Sequence, residues 1–212
     1  MPTVLRTVAV LAAAAIIARS GVAAADDSAS DLTTQAMREC ELGQDASAHD
    51  ERKAHFERGE SLATKAVALD DQSAPAHFAV VCNLGELLRV DGEKLTSLLL
   101  LRRLMSEVDR TLELNPNHVD AMATKGTLLM RLPRVLGGNT QEGERLLREV
   151  VKRDDNAVTS RITLAKSCVG SGKREEGIQL ASRALEIARQ EGRADKVAEA
   201  QAALDQLGAR AQ

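Results

Sequence analysis

The sequence predicts an all-α fold in which antiparallel helix pairs stack one after another as an α-solenoid. Three observations carry that prediction. The phrase Gly143-Glu144-Arg145-Leu146-Leu147, closing on Val150-Val151, returns further along as Gly177, Leu180-Ala181 and Ala184-Leu185, and is foreshadowed at Gly59, Leu62-Ala63 and Ala66-Val67. A fixed period of roughly 34 residues, the step from Gly143 to Gly177, marks a repeat built from one helix pair. Apolar residues also recur at helical rather than strand spacing. Finally, with no Trp, no Tyr and two Phe among 212 residues, the core must be built from Leu, Val, Ala and Ile. Such a core suits close-packed helices better than sandwiches or barrels, whose strands favour aromatic and β-branched residues.

The segment from Met1 to Ala25 reads as an export signal peptide: Arg6, an apolar run from Val8 to Ile17, then Ala23-Ala24-Ala25 before Asp26-Asp27. Cleavage is expected after Ala25, giving a periplasmic or secreted protein. The apolar run falls short of the roughly 20 residues that cross a bilayer, so no stable span is expected after processing; a retained anchor is the alternative. Residues 26–45 read as a flexible N-terminus with a short helix over 32–42 that stops at Gly43.

The repeat array occupies 46–192. Its first helix, 46–70, carries Phe56, Leu62, Ala63, Ala66 and Val67 on one face. Ser73 caps the next, with Pro75 in its first turn, and this helix runs to about Val90 before Asp91-Gly92. A helix over 94–114 is so rich in leucine (Leu95, Leu98 to Leu101, Leu104) that burial around much of its circumference is expected. Asn115-Pro116-Asn117 breaks it, since proline restricts the residue before it and cannot continue a helix interior. A helix over 118–131 follows, then the irregular Leu132-Pro133 to Gly137-Gly138 stretch. Asn139 with Glu142 makes a capping box for a helix to Arg153. Helices over 158–169 and 174–190 form the best-defined unit, and an amphipathic helix over 194–207 within residues 193–212 supplies the polar outer face that a terminal repeat needs.

The net charge of −3 and the scarcity of aromatics exclude the basic footprint and stacking platforms of a nucleic-acid binder. Cys40, Cys82 and Cys168 fit no zinc spacing. A Cys40–Cys82 disulfide competes with a reading of all three as small buried hydrophobes, which the burial habit of free cysteine favours. The four histidines, His49, His55, His77 and His118, read as solvated surface residues. No nucleophile elbow, phosphate loop or dinucleotide turn is present, so no catalytic residue, cofactor or metal is assigned and the chain reads as a non-enzyme.

Across Phe56 to Leu207 the chain resembles tetratricopeptide repeat (TPR) proteins. Their first-helix slots fall on His77, Val80, Val81 and Leu84; on Met122, Lys125, Gly126 and Leu129; and on Arg161, Leu164, Ala165 and Cys168. The second-helix small-residue slots are Gly59, Ala63 and Ala66, then Gly177, Ala181 and Ala184, and Pro116 closes one unit. The steps from His77 to Met122 and from Met122 to Arg161 both exceed the repeat period, so two units carry insertions. The resemblance implies about three TPR-like units in a right-handed superhelix, working as a scaffold for protein–protein interaction. The Leu132-Pro133…Gly137-Gly138-Asn139 phrase is similar to one in periplasmic TPR proteins associated with TRAP transporters. That similarity implies an alternative role as accessory to a solute transport system, binding a small apolar ligand or a solute-binding protein. The lipoprotein cysteine of that group is missing here.

The inner face of such an array would carry Phe78 and Cys82, then Thr127 and Met130 beside Ala123, then Ile162 and Lys166. Lys166 is the one charge on this stripe. A mildly apolar groove is therefore expected, suited to an apolar helix, an extended peptide or a lipophilic ligand. The competing reading is that Phe78, Met130 and Ile162 are packing residues covered by the N-terminal helix.

Overall fold

The computed structural model describes residues 27–91 and 97–209, so the expected signal peptide lies outside the described residues. Nine α-helices and one 3₁₀ turn make up the described chain: α1 Ala29–Asp45, α2 His49–Leu69, α3 Ala74–Asp91, α4 Ser97–Leu114, α5 Val119–Arg131, the turn Arg134–Leu136, α6 Thr140–Arg153, α7 Val158–Ser167, α8 Arg174–Gln190 and α9 Ala194–Ala209. Consecutive helices pack as pairs, α1 with α2, α3 with α4, α5 with α6 and α7 with α8; each pair then leans on the next, and α9 closes on α8 and α7.

Residues 29–45 are helical throughout, where the sequence suggested a flexible terminus and a shorter helix. Ser28 builds a capping box with Asp31: its hydroxyl accepts the Asp31 N–H at 3.1 Å, and the Asp31 carboxylate accepts the Ser28 N–H at 3.3 Å. Leu32, Ala36, Cys40 and Gly43 then recur on the buried face. The α1/α2 pair makes four helix pairs among the described residues, one more than the slots alone suggested.

The core clusters lie within and between the pairs. Ala36, Ala63, Val80, Leu84, Leu104 and Val108 join α1 through α4; Met122, Leu129, Leu146 and Val150 join α5 to α6; Val158, Ile162, Ala184, Ile187 and Ala200 join α7, α8 and α9. The small-residue slots work by letting backbones approach. A Cβ on Gly143 would stand 2.7 Å from the Gly126 carbonyl oxygen, and one on Gly177 would stand 2.8 Å from the Cys168 Cβ. Arg148 on α6 pairs with Glu144 at 2.8 Å and with Glu176 at the start of α8, tying one pair to the next.

Two expectations are corrected here. Cys40 and Cys82 form a disulfide that fastens α1 to α3, so they are not free hydrophobes; only Cys168 stays a buried thiol, and burial pushes its pKa up. The leucine-rich helix is not buried around its circumference either. Leu98 is 41% and Leu99 70% exposed, because neighbours close on the stripe Leu104, Val108 and Thr111 further along α4.

Candidate functional site

A groove of about 710 Å³ runs across the first helices of successive pairs. Proline and capping chemistry set its frame: Asn115 and Asn117 flank Pro116 in the turn before α5, and the α5 C-terminus is fixed where the Asn139 N–H donates to the Leu129 carbonyl at 2.8 Å. Asn139 then caps α6 by accepting the Glu142 N–H at 3.2 Å. The reciprocal half of that box is not made, since Glu142 instead chelates the Arg145 guanidinium at 2.7 and 2.8 Å.

Four of the six residues expected from the sequence line this groove: Thr127 and Met130 on α5, and Ile162 and Lys166 on α7. Ile162 is 2% exposed and belongs equally to the α7/α8/α9 core, so it forms floor rather than wall. The other two lie elsewhere. Cys82 is held in the disulfide. Phe78 packs on the core of the first two pairs and lays its ring against His118, with centroids 4.3 Å apart. The N-terminal helix α1 packs on α2 and α3, and none of its residues lines the groove.

The lining also holds residues that the sequence reading passed over. Arg89 comes from the end of α3, Arg131 from the end of α5, and Lys196 and Glu199 from α9. With Lys166 the lining holds four cations and one carboxylate, in a chain whose net charge is −3; Arg89 also pairs with Glu86 at 3.5 Å and Lys196 with Asp195, both outside the lining, so Lys166 and Arg131 carry most of the unspent positive charge. The expected mildly apolar groove is thus corrected to a more polar, cation-bearing one with an apolar floor at Ile162, lined also by Thr127, Thr140, Thr159 and Thr163.

Glu199 links α9 to α7 within this lining. One carboxylate oxygen accepts from Lys196 Nζ at 2.7 Å, and the other stands 3.9 Å from Lys166 Nζ. Burial raises the Glu199 carboxyl, but the bond from Lys196 and the charges of Lys196, Lys166 and Arg89 outweigh it, and its pKa lies below the ordinary carboxylate value. The Lys196 side chain is only 7% exposed, and it also approaches Asp195 at 3.4 Å. A sequence signal for it existed: Lys196, Ala200, Ala203 and Leu207 follow one another at i, i+4, i+7 and i+11, so the lysine stands on the buried stripe of α9.

Three histidines are not the solvated residues expected. His77 is 4% exposed, with Nδ1 2.6 Å from Glu107 and Nε2 3.1 Å from the Asp71 carbonyl. His55 meets Glu39 at 2.8 Å. His118 caps α5 by accepting the Ala121 N–H at 3.4 Å. A second depression, of about 490 Å³, surrounds His77; its charged groups are spent on one another, Arg110 reaching Asp71 and Glu113 at 3.3 Å each. Among the described residues no group of three or more His, Cys, Asp or Glu is placed to hold a metal ion, and no helix is long and apolar enough to cross a membrane.

No protein-family model matches the chain, and no curated protein matches it by sequence. In three dimensions it is similar to TTC0263, a thermophilic TPR protein of Thermus thermophilus, with a TM-score of 0.53 at 16% identity over 84% of this chain and 99% of that one. It also aligns with YrrB, a TPR protein with an unusual peptide-binding site, at a TM-score of 0.36 and 17% identity, covering 80% and 97% of the two chains. The first likeness, with the all-helical array of pairs, defines the class: this is an all-α, TPR-like helical-repeat solenoid in divergent form.

Proposed function

We propose that this chain is a non-catalytic binding scaffold that holds a polypeptide partner in the groove spanning α3, α5, α7 and α9. The observation that carries the reading is the convergence of Thr127, Met130 and Lys166, from separate repeats, on one accessible groove. Repeat solenoids gain a long binding surface in this way because their core is buried between neighbouring pairs rather than under that surface. We further propose export. The leader-like segment from Met1 to Ala25 and the Cys40–Cys82 disulfide both fit an oxidising compartment outside the cytoplasm.

Filling the groove tests the binding role. Thr127→Trp and Thr163→Trp are expected to abolish capture of partner protein from the exported fraction, with helicity by circular dichroism unchanged. Capture unaffected by both variants would remove the groove from consideration. A solute-binding protein in the wild-type eluate would turn the role to that of a transport accessory. N-terminal sequencing of the mature protein checks export, with Asp26 expected as the first residue.

A further inference from the structure

Building on that binding role, we propose that the groove takes an acidic polypeptide segment, and that Glu199 is a built-in competitor occupying the place of one of its carboxylates. The first half follows from charge. Arg89, Arg131, Lys166 and Lys196 converge on the groove from four different helices, while the chain as a whole is acidic. Arg89 is paired with Glu86 and Lys196 with Asp195 and Glu199, so the positive charge open to a partner centres on Lys166 and Arg131, and a segment carrying carboxylates is drawn to this face and to no average property of the surface. A neutral or basic segment would gain nothing from Lys166, which has only a 3.9 Å contact with Glu199, or from Arg131 in the same lining.

The second half follows from geometry. Glu199 divides its two oxygens between two lysines, 2.7 Å from Lys196 and 3.9 Å from Lys166. The short bond goes to the buried lysine, which needs a carboxylate partner wherever it stays charged. The long contact goes to Lys166, whose side chain is 45% exposed and free to turn to another anion. Glu199 itself lines the groove and is 42% exposed, so it sits in the groove and not beneath it. An incoming carboxylate that reaches Lys166 and Arg131 must displace the outer oxygen of Glu199 from Lys166 and must tolerate its negative charge. Glu199 thus weakens binding of every acidic segment while keeping Lys196 satisfied in the empty protein. Only a segment that engages several of the cations at once overcomes it, which makes Glu199 a selector for charge density.

The test uses the disulfide-bonded protein and a fluorescein-labelled ten-residue peptide of alternating Asp and Leu, with its Asn/Leu counterpart as control, read by anisotropy. The Asp peptide is expected to bind at least about tenfold more tightly than the Asn peptide, and to lose at least about tenfold in Arg131→Glu and in Lys166→Glu, with the difference fading at high salt. Glu199→Gln keeps an oxygen for Lys196, leaves Asp195 at 3.4 Å as its carboxylate partner, and removes the charge. It is expected to tighten the Asp peptide by roughly two- to fivefold, a partly exposed ion-pair energy converted to affinity, and to leave the Asn peptide unchanged. Weaker or unchanged binding of the Asp peptide in Glu199→Gln overturns the competitor role, since a merely structural residue gives that result. Equal affinity for both peptides overturns the acidic partner yet leaves the groove reading standing, provided that Thr163→Trp still blocks them. Failure of both peptides to bind overturns the proposal, and unaffected partner capture in Thr163→Trp would overturn the groove reading with it.

Discussion

The carboxamide of Asn83 fills the space that a side chain on Gly59 would need. A Cβ there would fall 2.8 Å from Asn83 Nδ2 and closer still to Oδ1. Asn83 is wholly buried; its Nδ2 donates to the Ala36 carbonyl on α1 at 3.0 Å and to the Ala79 carbonyl on its own helix at 2.9 Å, while Oδ1 has no hydrogen-bond partner among the described residues. One amide thus links α1 and α3 across the gap left open by a glycine on α2.

That arrangement predicts coupling between the two positions. Gly59→Ala is expected to destabilise by about 1–3 kcal/mol through overpacking, despite alanine's better helix propensity. Asn83→Ala is expected to lose about 1–3 kcal/mol by removing the amide's bonds to the Ala36 and Ala79 carbonyls and leaving a void where the carboxamide stood. The double variant should lose clearly less than the sum, because the methyl at 59 then enters space the amide has vacated. Urea denaturation of all four proteins checks this, and strict additivity would show that the glycine is not there for the asparagine.

The disulfide should dominate the stability of the N-terminal half. Cys40 and Cys82 are 42 residues apart, and closing a loop of that size stabilises a chain by about 4 kcal/mol on the loop-entropy account. Cys40→Ser with Cys82→Ser, or treatment with reductant, is expected to lower the melting temperature and to release α1 first, seen as early amide exchange over residues 29–45. Equal exchange in the oxidised and reduced proteins would refute this role.

His118 gives the molecule a pH dependence of known sign. Burial lowers its pKa from the ordinary 6.5, with the Asp120 charge opposing, and its Nδ1 must be unprotonated to accept the Ala121 N–H. The folded protein therefore favours the neutral ring. Its contribution is complete above pH 6.5 and is lost as pH falls from there through the lower folded value. Melting temperatures between pH 8 and pH 5 should fall less in His118→Asn, which retains a good cap without a titrating group. NMR titration of wild-type His118 should give a midpoint below 6.5.

Local chemistry was legible in the sequence. The Asn115-Pro116-Asn117 break and the Ser73 and Asn139 caps depend on neighbours a few residues away and stand where the sequence placed them, and the slots at Gly59, Gly126, Gly143 and Gly177 were legible because their spacing repeats, although the groups they admit are distant in the chain. What escaped depends on distant partners. A leucine run such as Leu98 to Leu101 says that a helix is apolar, not which of its sides another helix will reach. The Cys40–Cys82 pairing spans α2. Arg89 and Arg131 look like ordinary helix ends until α3 and α5 bring them to one groove. Lys196 was readable from its place on the α9 stripe, and its meaning was not, because Lys166 meets Glu199 only through the packing of α9 on α7.

The Cys40–Cys82 bond also bears on the order in which the chain matures. In a polypeptide threaded from its N-terminus into an oxidising compartment, Cys40 emerges first and meets Cys82 before Cys168 has arrived. Cys168 then enters a site sealed by Ala165, Ala181, Ala203 and Leu207, where it is no longer available for exchange. Export as proposed would thus let the order of emergence favour one of the three possible pairings, while folding buries the remaining thiol.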